Sequence, residues 1–317
     1  MNQPLLWCMA LVATAVTWPV TLYAQTTAPS RAPAVTNAKP EAQRIFATPE
    51  KAAAALADAL RSDDLKKIHS VLGPGSGKVI QSGDPVQDAA GRKRFLEAYK
   101  TSVKIEPSGD ARVTLLIGSE EFPFPFPLVK VATGWRFDSK AGAEEVLNRR
   151  IGRNERSAIQ VCLAYVDAQR EYATKDRDKD GLLEYAQKFV STSGKHDGLY
   201  WETREGEPAS PLGPLSTRAK EQGYANLEPY HGYYYRILTA QGADNPGGAF
   251  SYIVRGQMIG GFALVAYPAR WGASGVMTFI CNHRGEVYEK NLGKDTVVIA
   301  ERMTRYNPDV SWKKSDE

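Results

Sequence analysis

From position 154 the chain reads Asn154-Glu155-Arg156-Ser157-Ala158-Ile159-Gln160-Val161-Cys162-Leu163-Ala164-Tyr165-Val166-Asp167-Ala168-Gln169-Arg170-Glu171-Tyr172-Ala173. Ile159, Cys162, Leu163 and Val166 recur at three- and four-residue intervals among charged and amide side chains. That is the period of an α-helix with one buried face. From Gly198 onward the pattern changes. Tyr233 to Leu238, Phe250 to Val254, Phe262 to Tyr267, Val276 to Cys281 and Val287 to Lys290 are short apolar segments that read as strands. Gly247-Gly248 and Gly260-Gly261 lie in turns between them, and Arg284-Gly285 marks a hairpin. A long helix followed by strands joined through tight turns predicts a helix laid on an antiparallel sheet.

Upstream, helices come first. Thr48 suits an N-cap, Pro49 the first helical position and Glu50 the positive helix end, opening an Ala-rich run to Leu60. Asp64 to Val71 and Arg92 to Tyr99 read as two more helices. Ala111 to Ile117, Leu128 to Ala132 and Trp135 to Asp138 read as strands. Phe122-Pro123-Phe124-Pro125-Phe126-Pro127 cannot be a central strand, since proline has no N–H to donate, so it is an edge or a loop with aromatic plugs. Ala141 to Asn148 reads as a further helix. The fold class is therefore α+β: N-terminal helices on a curved antiparallel sheet, then the long helix on its own antiparallel sheet.

The 317 residues are 43% hydrophobic and 24% charged, with 40 basic and 36 acidic side chains for a net charge of +4. That balance supports two ordinary domains and gives no reason to expect nucleic acid as a partner. Leu5 to Leu22 is apolar and uncharged and runs into Leu22-Tyr23-Ala24, which predicts a secretory signal peptide over 1–24. An uncleaved anchor is the rival reading; the segment is barely long enough to span, and Pro19 interrupts it. No other stretch is apolar enough to cross a bilayer, so no membrane span is expected after cleavage. The expected organisation is a signal peptide at 1–24, a Thr/Ala/Pro-rich linker at 25–45, an N-terminal domain at 46–150 and a C-terminal domain at 151–317. The expected location is periplasmic or secreted. Cys162 and Cys281 then remain, as a disulfide or as two buried thiols.

A set of ordered segments carries a family resemblance. They include Phe137-Asp138 with Ala141-Gly142, Arg149-Arg150-Ile151-Gly152, Tyr165-Val166-Asp167-Ala168-Gln169 and Asp197-Gly198-Leu199-Tyr200-Trp201. Ser210-Pro211-Leu212-Gly213-Pro214, Pro229-Tyr230-His231-Gly232-Tyr233-Tyr234, Gly260-Gly261-Phe262-Ala263 and Val287-Tyr288-Glu289-Lys290 continue the series. On these the chain, from Phe46 to Trp312, resembles the bacterial exported proteins grouped as domain-of-unknown-function family 2950. That resemblance implies export and brings no activity with it. The second half also looks like the globular head of a type IV pilin or pseudopilin. The first looks like a nuclear-transport-factor-2-like cone, a likeness of fold alone.

Asp176-Arg177-Asp178-Lys179-Asp180-Gly181-Leu182-Leu183-Glu184 is the sharpest chemical motif. Three carboxylates at alternate positions and then a glycine suit a Ca²⁺ loop, with Glu184 as a fourth oxygen donor. A helix precedes it, and Leu183 to Phe189 is expected to begin another. The twelfth position, where an EF-hand carries a bidentate Glu, is Gln187. A polar turn without metal is the alternative. Gly73-Pro74-Gly75-Ser76-Gly77-Lys78 fails as a phosphate loop, because Leu72 and Val79 replace the Gly and the Ser/Thr such a loop needs. His69, His196, His231 and His283 show no metal-ligand spacing. Trp201, Tyr230, His231 and Tyr233 are candidate lining residues of a ligand groove, although tyrosine in strands more often packs.

These readings point to a non-catalytic protein that binds an envelope protein or polymer, with calcium as a structural ion. A hydrolase acting on envelope material through His231 or the acidic residues is the enzyme alternative. An accessory component of pilus or secretion machinery is the third.

Overall fold

The protein is seen in a computed structural model that describes residues 42–203, 206–224 and 229–315. The expected signal peptide and nearly all of the expected linker lie outside the described residues. The first helix, α1 (Pro49–Arg61), starts as the sequence predicts, with extended Thr48 accepting a hydrogen bond from the Lys51 N–H at its side-chain oxygen. Asp64 caps α2 (Leu65–Leu72) in the same way, and Gly73 ends it at φ 90°. A single turn, α3 (Gly77–Ile80), occupies the glycine-rich run.

The helix expected at Arg92 to Tyr99 is twice as long: α4 (Pro85–Thr101) begins at an Asp84 cap followed by proline. Its sequence hides this, because Phe95 is its only buried side chain and the apolar period is faint. Five strands follow: β1 (Val103–Pro107), which was not expected, β2 (Arg112–Ile117), β3 (Phe122–Pro123), β4 (Leu128–Val131) and β5 (Gly134–Phe137). They form an antiparallel sheet in the order β1-β2-β4-β5, with β3 attached to β2. Past β3 the Phe/Pro run turns inward, and Phe126 is buried beside Leu56, Ile68, Leu115, Leu128 and Phe137.

The two helices expected at Ala141–Asn148 and Asn154–Ala173 are one. α5 (Ser139–Tyr172) runs 34 residues without a break, about 50 Å at 1.5 Å per residue. Arg149 to Arg153 carries no apolar period but keeps good helix formers around Gly152, so propensity bridges the gap that periodicity leaves. Residue 150 thus lies inside a helix. Arg150 donates to the Lys78 carbonyl at 2.8 Å and the Val79 carbonyl at 2.7 Å, tying α5 to α3. The first turns of α5 pack on the N-terminal cluster through Ala143. The later turns bury Ala158, Cys162, Tyr165 and Val166 in a second cluster.

The expected helix from Leu183 to Phe189 does not form. The Gln169 carboxamide accepts from Ala186 N–H and donates to Ala186 C=O, both at 2.8 Å, and Tyr185 N–H bonds Met258 C=O, which holds the segment extended. Then come α6 (Gly213–Glu221), not expected, and β6 (Tyr233–Leu238). The strand expected at Phe250–Val254 is divided. β7 (Ala240–Gln241) pairs with β8 (Phe250–Ser251), while β9 (Ile253–Val254) turns through Arg255-Gly256 onto β10 (Gln257–Met258). β11 (Ala263–Pro268), β12 (Thr278–Asn282) and β13 (Val287–Lys290) follow the expected pattern. The chain closes with α7 (Thr296–Arg302), β14 (Arg305–Tyr306) and β15 (Lys313–Lys314).

The second sheet is antiparallel, in the order β15-β13-β12-β11-β6. Every residue of β11 and β12 is buried, since α5 contacts both strands and α7 and β14 pack against β11. Cys162 and Cys281 are free thiols, both fully buried where α5 meets β12. The architecture is α+β: its two five-stranded sheets are antiparallel, and β14 runs parallel to β7 in the small β14-β7-β8 sheet. Among the described residues no helix is long and apolar enough to cross a membrane.

Candidate functional site

The outermost strand of the second sheet, β6, borders a cavity of about 470 Å³. Tyr233, Tyr234 and Tyr235 from β6 and Tyr230 just before it form one side. Val161 and Tyr165 of α5 form the floor, and Leu212, Leu215 and Ala219, at and within α6, form the far side. The tyrosine hydroxyls that are held bond away from one another. Tyr233 donates to Met277 C=O at 2.9 Å, Tyr165 to Ala263 C=O at 3.3 Å and Tyr235 to Tyr230 C=O at 3.3 Å. The rings, not the hydroxyls, are thereby left to make the wall, which suits an apolar or aromatic guest. Tyr230 and Tyr233, both expected in a groove, meet here.

Trp201 lies in a neighbouring, more open depression of about 790 Å³, which shares Tyr200 with the cavity. Its ring stacks on His196 at 4.3 Å and carries the Arg177 guanidinium at 5.0 Å. Tyr200 accepts from Lys220 Nζ at 2.6 Å, joining the two hollows to α6.

His231 belongs elsewhere. It adopts a left-handed backbone, φ 51°, followed by Gly232 at φ 75°. A Cβ on Gly232 would fall 2.7 Å from Asn154 Nδ2, so the turn admits only glycine. The turn aims the imidazole at the N-terminal helices, where Nδ1 lies 2.9 Å from Gln87 Nε2. Next to it Tyr224 donates to the buried Asp84 carboxylate at 2.8 Å. Burial lowers the His231 pKa, and the nearby Arg153 and Arg218 charges lower it further, so the ring is neutral at pH 7. Burial raises the Asp84 pKa against the hydrogen bonds from Gln87 N–H and Tyr224. His231 is thus part of a polar seam that joins its turn to α4, where its ring faces Gln87.

The three aspartates converge. Carboxylate oxygens of Asp176, Asp178 and Asp180 lie within 4.8 Å of one another and are exposed. Ligands on one Ca²⁺ at 2.3–2.6 Å can be at most about 5 Å apart, so the spacing fits one ion. Asp176 also organises the turn, accepting from Lys179 N–H at 2.7 Å and Gly181 N–H at 2.9 Å. Those bonds, led by Gly181, hold its pKa below the usual carboxylate range. Glu184 stands near the triad. Burial raises its pKa first, and the charges of Asp178, Asp180 and Asp176 add to the rise. Gln257 donates to Asp180. Gln187 is turned away and donates to Gly256 C=O at 2.7 Å.

Sequence reasoning did not find Asp84, Gln87, Arg153, Arg218 or the α6 side chains. Asp84-Pro85 and Gly213-Pro214 are both helix-start signals that could have located two of these elements. The pairing of Gln87 with His231 spans 144 positions and leaves no local mark.

No curated protein and no solved structure matches the chain. A family model described as "Protein of unknown function (DUF2950)" matches residues 43–315, and the chain belongs to that family.

Proposed function

We propose that this chain is a non-catalytic binding protein of the bacterial cell envelope that takes an apolar or aromatic group of its partner into the tyrosine-lined cavity. One observation carries the reading: about 470 Å³ of space bordered by tyrosine rings whose fixed hydroxyls are engaged elsewhere. The uncharged leader at 1–24 supports export. Against the hydrolase alternative stands the His231 ring, which is directed at a carboxamide and not at a carboxylate orienter or a hydroxyl nucleophile. The pilus or secretion alternative, with the pilin-head likeness behind it, draws on a long helix laid on an antiparallel sheet. The cone likeness of the first half draws on helices against the first sheet.

Titration with the apolar dye 1-anilinonaphthalene-8-sulfonate tests the cavity. Wild type should bind it saturably, and Ala219→Trp, which fills the space from α6, should abolish the signal. Unchanged binding by that variant would remove the cavity from consideration.

A structural Ca²⁺ at Asp176, Asp178 and Asp180, with Glu184 beside them, is the second element of the reading. The exposed loop offers fewer protein oxygens than the six to eight Ca²⁺ takes, so water would complete the shell and the affinity would be low.

A further inference from the structure

Among the described residues the outer edge of β6 is closed at both ends and open in the middle. Along β6 the two edges alternate. Ala269 N–H bonds Gly232 C=O at 2.9 Å, and the register pairs Tyr234 with Tyr267 and Arg236 with Val265. Residues 232, 234 and 236 therefore use their backbone groups on β11, and 233, 235 and 237 turn theirs outward. At one end Tyr233 N–H is taken by Tyr230 C=O at 3.2 Å. At the other Thr239 C=O is taken by Tyr252 N–H at 2.8 Å. Between them, no described residue pairs with the outward N–H and C=O of Tyr235 and Ile237, and β6 ends the sheet. An unpaired edge is a template for another strand.

The cavity lies along this edge, so a strand added to β6 would carry a side chain into it. One cation stands beside the cavity: Arg218 of α6 lines the adjoining hollow with Glu202 and Glu221, its charge reaches Tyr230, and it is in no ion pair among the described residues. Charge complementarity then calls for a carboxylate beside the anchored side chain.

We propose that β6 receives an extended acidic peptide segment of a partner protein, pairing with Tyr235 and Ile237 and placing an aromatic or branched side chain among Tyr230, Tyr233 and Leu215. The mode is strand addition, in which main-chain hydrogen bonds give affinity and a pocket for alternate side chains gives selectivity. The inference rests on the binding reading above and names its partner class.

The probe is a blocked, fluorescent heptapeptide of strand-forming residues with a central phenylalanine and an aspartate on each side. Its comparators have lysines for the aspartates, or are N-methylated at the central amides. Wild type should bind the acidic peptide, with at least a tenfold loss for the lysine form and for the N-methylated form. Ile237→Pro removes an outward N–H without touching a bond to β11, and should weaken the acidic peptide at least tenfold while leaving dye binding as it is. Equal binding of the N-methylated peptide by wild type overturns strand addition, whether or not the proline variant folds. Dye binding without any peptide binding overturns this inference and leaves the cavity standing. Loss of both removes the two together.

Discussion

Tyr224 and Asp84, 140 positions apart in the chain, meet through a hydroxyl-to-carboxylate hydrogen bond of 2.8 Å. Asp84 is 1% exposed and also caps α4 through Gln87 N–H at 2.9 Å. One carboxylate thus starts a helix of the first half and holds a side chain of the second. Tyr224→Phe keeps the ring, whose centroid lies 4.9 Å from that of Tyr230, and removes the hydroxyl that donates to Asp84 and accepts from His231 N–H at 3.3 Å. Loss of a partner from a buried acceptor costs about 1–3 kcal/mol. Chemical denaturation should show a lower midpoint by that amount, with α4 less protected in hydrogen exchange. An unchanged midpoint would mean that the seam contributes nothing.

The same seam should make stability depend on pH. His231 has a folded pKa below its unfolded value of about 6.5. As pH falls through 6.5 the unfolded chain takes up the proton first, so stability present at neutral pH is lost toward the lower, folded pKa. Gln87, Tyr224 and Tyr230 surround the ring, and Arg153 and Arg218 oppose its charging. His283, also lowered by burial, adds a slope of the same sign. Raised Asp84 acts oppositely, losing stability as pH rises from the ordinary carboxylate range. In His231→Gln the loss of stability between pH 7.5 and 5.5 should be smaller than in wild type, while the His283 part persists. Parallel curves would remove His231 as the titrating group.

Gly142 tests how α5 sits on the first sheet. A Cβ there would fall 2.2 Å from the Phe126 ring, and Phe126 is itself 1% exposed among the N-terminal core side chains. Gly142→Ala should be destabilising by about 1–3 kcal/mol through overpacking, despite alanine's better helix propensity. A variant more stable than wild type would show that the helix can move away at no cost.

What the sequence revealed follows from range. The caps at Thr48 and Asp64 and the strands β11 to β13 carry their signals within a few residues, and they appear where those signals point. The helix at Arg149 to Arg153 carried no apolar period, so one helix read as two. The segment after Leu183 read as helical because nothing local announces that Gln169, 17 positions away, holds Ala186. The site divided similarly. The aspartates lie within one turn and their convergence was legible, whereas His231 was drawn toward Gln87 by packing that no short window contains.

The aspartate loop gives the last prediction. Three carboxylates within 4.8 Å repel one another, and Glu184 is pushed upward by its burial and then by their field. A divalent cation relieves that repulsion, so binding should weaken as pH falls toward the carboxylate range. With a Kd of about 1 mM, 10 mM Ca²⁺ would stabilise the fold by about 1.4 kcal/mol. Calorimetry should give a saturable heat for wild type and none for Asp178→Ala, and only wild type should melt higher in Ca²⁺. Gln187→Glu should not tighten binding, because Tyr185 N–H on Met258 C=O and the two Gln169–Ala186 bonds hold the backbone of that segment out of the helix an EF-hand needs there. Identical melting curves for wild type and Asp178→Ala in 10 mM Ca²⁺ would leave the loop as a polar turn, organised by Asp176 and its bonds to Lys179 and Gly181 alone.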